Sequence, residues 1–151
     1  MVAGLLLVYC ATARTSERLD ALTTPDRDAL SGDTQRIERA IASYLKLDTS
    51  DPEVQWRLLR AYANHHSELT CIDPARQAAV AKEGYDFAVG ADAGSSSKGE
   101  SVYYYASLGS RYYRERVFEG VFSHLFGGFD PVGNLQKALQ MNADVDYAGA
   151  D

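Results

Sequence analysis

His65, His66, Glu68, Cys71 and Asp73 lie close together in "HHSELTCID" and are all of metal-ligating or acid–base type. Adjacent histidines on a helix point about 100° apart, so His65 and His66 cannot easily share one ion. The group reads as a chance gathering at a helix end. His124 stands alone, as a surface or half-buried histidine would. Ser95, Ser96 and Ser97 beside Lys98 form no nucleophile elbow, because the strand-to-helix turn such a serine needs is missing. "GADAGSSSKG" has glycines and a lysine but neither the spacing nor the preceding strand of a phosphate loop. Asp144 and Asp146 are paired carboxylates in a polar tail and read as solvated. No catalytic constellation emerges, so the expectation is a protein that is not an enzyme and needs no cofactor or metal.

The residues left with something to do are tyrosines. "SVYYYASLGSRYYRERVF", residues 101 to 118, holds Tyr103, Tyr104, Tyr105, Tyr112 and Tyr113. On a helix, Tyr105, Leu108, Gly109 and Tyr112 share one face, which makes Tyr105 and Tyr112 expected core. Tyr103, Ala106, Ser110 and Tyr113 form a second stripe. On the helix around Trp56 the equivalent stripe is Val54, Arg57, Ala61 and Asn64. If these stripes line a groove, Tyr103, Tyr113, Arg57 and Asn64 are its ligand-binding residues. Tyrosines would supply contact area and Arg57 a charge-assisted hydrogen bond, which suits an apolar or amphipathic ligand with an acidic group. The opposing possibility is that Tyr103 and Tyr113 pack beneath a loop or an N-terminal helix.

The elements that would position these residues are helices. At 151 residues the chain has the size of one domain, with 46% hydrophobic and 24% charged residues. A net charge of −6, with no basic block, argues against nucleic acid as a partner. No apolar run of 18 or more residues is present. Helices are expected over about 15–22, 33–47, 52–66, 74–91, 98–113 and 131–141, with 114–126 either a further helix or a continuation after a bend. "TTPDRDALSGD" reads as a break and "GADAGSSSKGE" as a flexible loop. Asp51-Pro52, Asp73-Pro74 and Asp130-Pro131 are repeated start signals, an aspartate cap followed by a proline that needs no hydrogen-bond donor.

Three such starts prompt a search for repeats. Tyr105, Leu108, Gly109 and Tyr112 match the first-helix pattern of the tetratricopeptide repeat, with Tyr for Trp. Ala81, Tyr85 and Ala88 match its second-helix pattern, with Ala93 where proline is usual. Trp56 and Leu59 match the first pattern again, but Arg60 takes the glycine position. Leu135 and Ala138 match loosely. The expected fold is all-α, built of irregular tetratricopeptide-like antiparallel helix pairs over residues 15–151.

The runs "DPEVQWRLLRAYA", "GYDFAVGADA", "YYYASLGSRY" and "LQKALQMNADVDYAGAD" resemble the T component of tripartite ATP-independent periplasmic (TRAP) transporters, over about residues 33–151. The resemblance implies a bacterial, periplasmic, lipid-anchored helical protein. Its partners would be a periplasmic solute-binding protein and a hydrophobic solute, and some members are homo-oligomers with a central pore. In that family the closing Asp-Tyr-x-Gly-Ala turn leads into further helices, so a C-terminal truncation is expected here. Residues 1–14 read either as a degenerate lipoprotein signal ending at Cys10 or as a first helix. Tyr9 stands where a small residue is expected, and no Lys or Arg precedes the apolar run. The alternative function is a tetratricopeptide-like scaffold for a peptide or protein.

Overall fold

Asp51, Asp73 and Asp130 act as the sequence predicts. Each accepts a hydrogen bond from a first-turn backbone N–H, at 2.9 Å from Glu53, 3.0 Å from Arg76 and 3.0 Å from Gly133, with proline at the start of the helix it caps. Asp33 caps another helix through Arg36 at 2.8 Å. A computed structural model describes residues 21–114 and 116–142, and every regular element among them is helical, with no strand. The elements are α1 (21–29), α2 (Thr34–Tyr44), α3 (Pro52–Glu68), α4 (Pro74–Gly90), a single 3₁₀ turn (Ala93–Ser95), α5 (Gly99–Tyr113), α6 (Val117–Leu125) and α7 (Pro131–Met141). Cys10, Asp144 and Asp146 lie outside the described residues, as do 15–20 of the expected first helix.

The core forms because α3 is covered on most of its circumference. It packs on α2, α4 and α5, while α5 also packs on α4 and α7. Ile37, Tyr44, Leu58, Leu59, Val80 and Leu108 are completely buried between these helices. Gly84 permits the closest approach. A Cβ there would lie 2.8 Å from Tyr62 Cβ on α3 and 3.0 Å from Leu108 on α5. Among the described residues no helix is long and apolar enough to cross a membrane.

Two local expectations need correction and one open alternative is decided. "TTPDRDALSGD" does not break the chain over its first half, since residues 21–29 are helical through Pro25. Leu22, Pro25 and Ala29 are buried on one face, and the carbonyl that proline leaves without its helical donor belongs to Ala21, an exposed residue. The left-handed backbone turn after this helix falls on Gly32, at φ +69°, where glycine is unstrained. Of the two alternatives for residues 114–126, the further helix is the one found, as α6. The loop after α4 is pinned from three sides. Gln55 Nε2 donates to Ala91 O at 3.0 Å, Lys137 Nζ donates to Gly94 O at 2.8 Å, and Lys98 pairs with Glu53.

Candidate functional site

The tyrosines divide differently from the helical-face expectation. Tyr104 is the deeply buried one, 5% exposed. Tyr105 and Tyr112 are half-buried, and they stack on opposite sides of Tyr85 from α4, with ring centroids 5.8 Å and 5.2 Å away. Seven residues of helix advance about 10.5 Å, which leaves room for one ring between them. Tyr113 meets Tyr85 edge-on at 5.6 Å, and Phe129, just before α7, meets Tyr85, Tyr105 and Tyr113 at 5.6, 5.5 and 5.4 Å. Burial, followed by the neighbouring tyrosine hydroxyls, pushes the Tyr85 phenol well above its ordinary pKa, so it stays neutral. Gly109 makes this cluster possible, because a Cβ there would overlap the Phe129 ring and lie 2.9 Å from Tyr85.

One side of the cluster opens into a cleft of about 470 Å³ between the end of α5, α6 and the start of α7. Its walls include Tyr113, Gly120, Val121, Leu125, Phe129 and Val132. Gly120 lets α6 sit close, since a Cβ there would come within 3.1 Å of Tyr113 Cβ. None of the residues of α6 is buried, although the helix is rich in apolar side chains. Phe118 is 86% exposed, and Phe126, just past the helix, 80%. An apolar cleft rimmed by an apolar helix can hold an apolar group but offers little for bond-making chemistry.

The four residues expected to line one groove do not meet. Tyr113 lines the cleft. Tyr103 is half-buried, edge-on to Tyr104 at 5.0 Å, and packs against Val102 and Ala138 where α5 meets α7. Arg57 belongs to an internal charge network. Its Nε donates to Asp26 at 3.1 Å and its Nη1 to Glu53 at 2.6 Å, while the guanidinium lies 4.3 Å from the Trp56 ring centre. Asn64 donates to the Ala29 carbonyl at 3.0 Å, so both residues tie α3 to α1. Val54, Ala61 and Ala106, placed on the open stripes by the sequence, are buried. The reason is that α3 and α5 each have neighbours on several sides, which leaves no free row along α3. Arg60, in the repeat's glycine position, donates to Asp26 at 2.9 Å, and Tyr44 donates to the same carboxylate at 2.5 Å.

No family model, no curated protein and no solved structure matches this chain. The site therefore rests on its own geometry. His65 and His66 are both buried, and Cys71 is exposed in a left-handed turn at φ +64°, so the histidine–cysteine grouping is dispersed. Among the described residues no group of three or more His, Cys, Asp or Glu could hold a metal ion. Burial is the first cause lowering the His65 pKa, and it also lowers that of His66 to about 4, with Arg111 and Arg114 adding to the effect. Both rings are therefore neutral at neutral pH.

Phe129, Val121, Leu125 and Val132 escape the sequence reading, which treats "FGGFDP" only as a break. A signal for them was present. "VFEGVFSHLF" carries Val117, Phe118, Val121, Phe122, Leu125 and Phe126 around most of a helix, more than a short solvated helix has reason to expose.

Proposed function

We propose that the chain is a non-enzymatic binding component of a bacterial periplasmic solute uptake system of the TRAP type, taking an apolar or amphipathic organic solute together with a solute-binding protein. The observation that carries this reading is the apolar cleft of about 470 Å³ floored by Tyr113 and Phe129. The helix contacts support the tetratricopeptide-like part. Consecutive helices α2 to α5 pack on one another, and α3 touches α5 while α5 touches α7, as leading helices do in stacked hairpins. The resemblance over residues 33–151 supplies the transporter assignment, the periplasmic location and lipid anchoring, for which the degenerate signal at Cys10 is the candidate residue.

A second reading is a tetratricopeptide-like scaffold for a peptide or protein. The outward Phe118, Phe122 and Phe126 favour it, being 86%, 62% and 80% exposed on the side of α6 beyond the cleft lining.

Native mass spectrometry of the purified chain separates the two. A retained small apolar molecule, lost in Tyr113→Ala and kept in Tyr103→Ala, supports solute binding in the cleft. A ligand retained equally by both variants removes Tyr113 from the site. A chain that arrives empty and binds an apolar fluorescent probe no better than Tyr113→Ala refutes the solute reading.

A further inference from the structure

On the opposite flank of α5 from Tyr113, a second and smaller pocket of about 230 Å³ opens between α3, α4 and the end of α5. Its polar lining is His66, Gln77, Lys82, Arg111, Arg114 and Arg116. A chain of net charge −6 has thus gathered cationic side chains around one cavity. Carboxylates reach two of them. Asp86 pairs with Lys82 at 2.5 Å, and Glu119 with Arg116 at 3.5 Å. Arg111 and Arg114 have no carboxylate partner among the described residues. Arg111 is half-buried, and its guanidinium donates from Nη1 to the Ala63 carbonyl on α3 at 2.6 Å. A guanidinium carries five N–H groups, so most of its donor capacity remains unspent. Burial of a cation without a counterion is unfavourable, and the pocket leaves the half-buried Arg111 in that position, beside the exposed Arg114.

We propose that this pocket is a binding site for a small doubly charged oxyanion of the phosphate class, either free phosphate or the phosphate group of a larger molecule, held by Arg111 and Arg114. Two guanidiniums with no carboxylate partner among the described residues match a dianion in charge, and their planar donor sets match its oxygens in geometry. The volume falls below the range usual for drug-sized ligands, which suits an ion or one head group. Gln77 is held in place by donating to the His66 carbonyl at 3.2 Å and to Thr70 Oγ1 at 2.8 Å, so it forms a fixed wall. The His66 ring, 8% exposed, faces the same space. Burial and the two arginines hold it neutral, and a bound anion would oppose the arginines' part of that effect.

The test is thermal unfolding and calorimetric titration of the full chain with inorganic phosphate, glycerol phosphate and acetate, each matched in ionic strength with chloride. Phosphate or its ester should stabilise the chain beyond chloride, and Arg114→Ala should weaken that binding by about tenfold or more, the loss expected for one charge-assisted hydrogen bond. Arg39→Ala, which removes an exposed arginine on α2, should leave it unchanged. Arg111→Gln should weaken binding as well. Because that change touches a half-buried residue, the exposed Arg114 provides the deciding variant. Tighter binding of the ester than of phosphate would uphold the site and point to a group on a larger molecule, and the reverse order would uphold it for the free ion. Stabilisation no greater than with chloride, equal binding by Arg114→Ala, or acetate binding as tightly as phosphate would overturn the proposal.

Discussion

Gly109→Ala tests whether the aromatic cluster depends on a missing side chain. Alanine is the better helix former, and in an open helix the change would stabilise by about 1 kcal/mol. At position 109 the added methyl falls on the ring of Phe129, which is 4% exposed and can yield only towards the cleft, away from the cluster. Phe129 would then give up its contacts with Tyr85, Tyr105 and Tyr113 at 5.6, 5.5 and 5.4 Å. Aromatic pairs are worth about 1 kcal/mol each, so the loss is about 3 kcal/mol and the net destabilisation about 2 kcal/mol. For a domain of this length that corresponds to a fall in Tm of roughly 4–8 °C. Urea and thermal unfolding followed by far-UV circular dichroism would measure it, in the wild-type background and again with Phe129→Ala. Removing the ring removes the severest collision and gives Tyr85, 2.9 Å from the added Cβ, space to shift, so in the second background the penalty should shrink or vanish. An equal penalty in both backgrounds, or stabilisation in the first, refutes the argument.

Asp26→Ala should lower stability by about 2–4 kcal/mol in urea titrations, because it strips the shared acceptor from Arg57, Arg60 and Tyr44 and leaves Arg60, 15% exposed, without a carboxylate. A change under about 0.5 kcal/mol, the usual range for surface substitutions, would show that water replaces the network at no loss. Acid should weaken the fold in two windows. Lys98 first and Arg57 second hold the Glu53 carboxyl at about 2 against an ordinary 4.5, so its contribution is whole above 4.5 and fades as the pH falls towards 2. His66 is lowered from 6.5 to about 4, so the unfolded chain takes up that proton first and stability declines as pH falls between those values. His66→Gln should flatten the upper window and Glu53→Gln the lower one, in unfolding midpoints measured across pH.

What could be read in the sequence were features set by neighbouring residues. Asp51-Pro52, Asp73-Pro74 and Asp130-Pro131 fix helix starts through one side chain and one missing donor, and α7 begins and ends where its pattern places it. Gly109 was legible as the small residue of the repeat pattern, and what lies against it is the Phe129 ring beside Tyr85 from α4. Helix faces were harder. A stripe has a direction only once its neighbours are known, and α3 and α5 have neighbours on several sides, so Ala61, Ala106 and Tyr104 turned inward. Pro25 misled because proline punctuates most helices. Here the carbonyl it leaves without a helical donor belongs to the exposed Ala21. Arg57 looked available because its partner Asp26 lies 31 residues away, in a stretch read as a break.

The same logic explains why binding capacity collects at the end of α5 and not along α3. On α3 the charges of Arg57 and Arg60 are answered within the chain by Asp26 and Glu53, and the apolar positions by the core. A ligand there would have to break ion pairs that are mostly shielded from water before it could make its own. Around the last turn of α5 nothing comparable has to be broken. Tyr113 and Phe129 present an open apolar wall on one side, and Arg111 and Arg114, without a carboxylate partner among the described residues, present charge on the other. Arg114 borders both cavities, so its replacement is the one change expected to reach both. An effect on phosphate without one on an apolar probe would mean that the two pockets work separately. Loss of both would mean that one amphipathic molecule spans them, with its anionic group between the arginines and its apolar part against Tyr113.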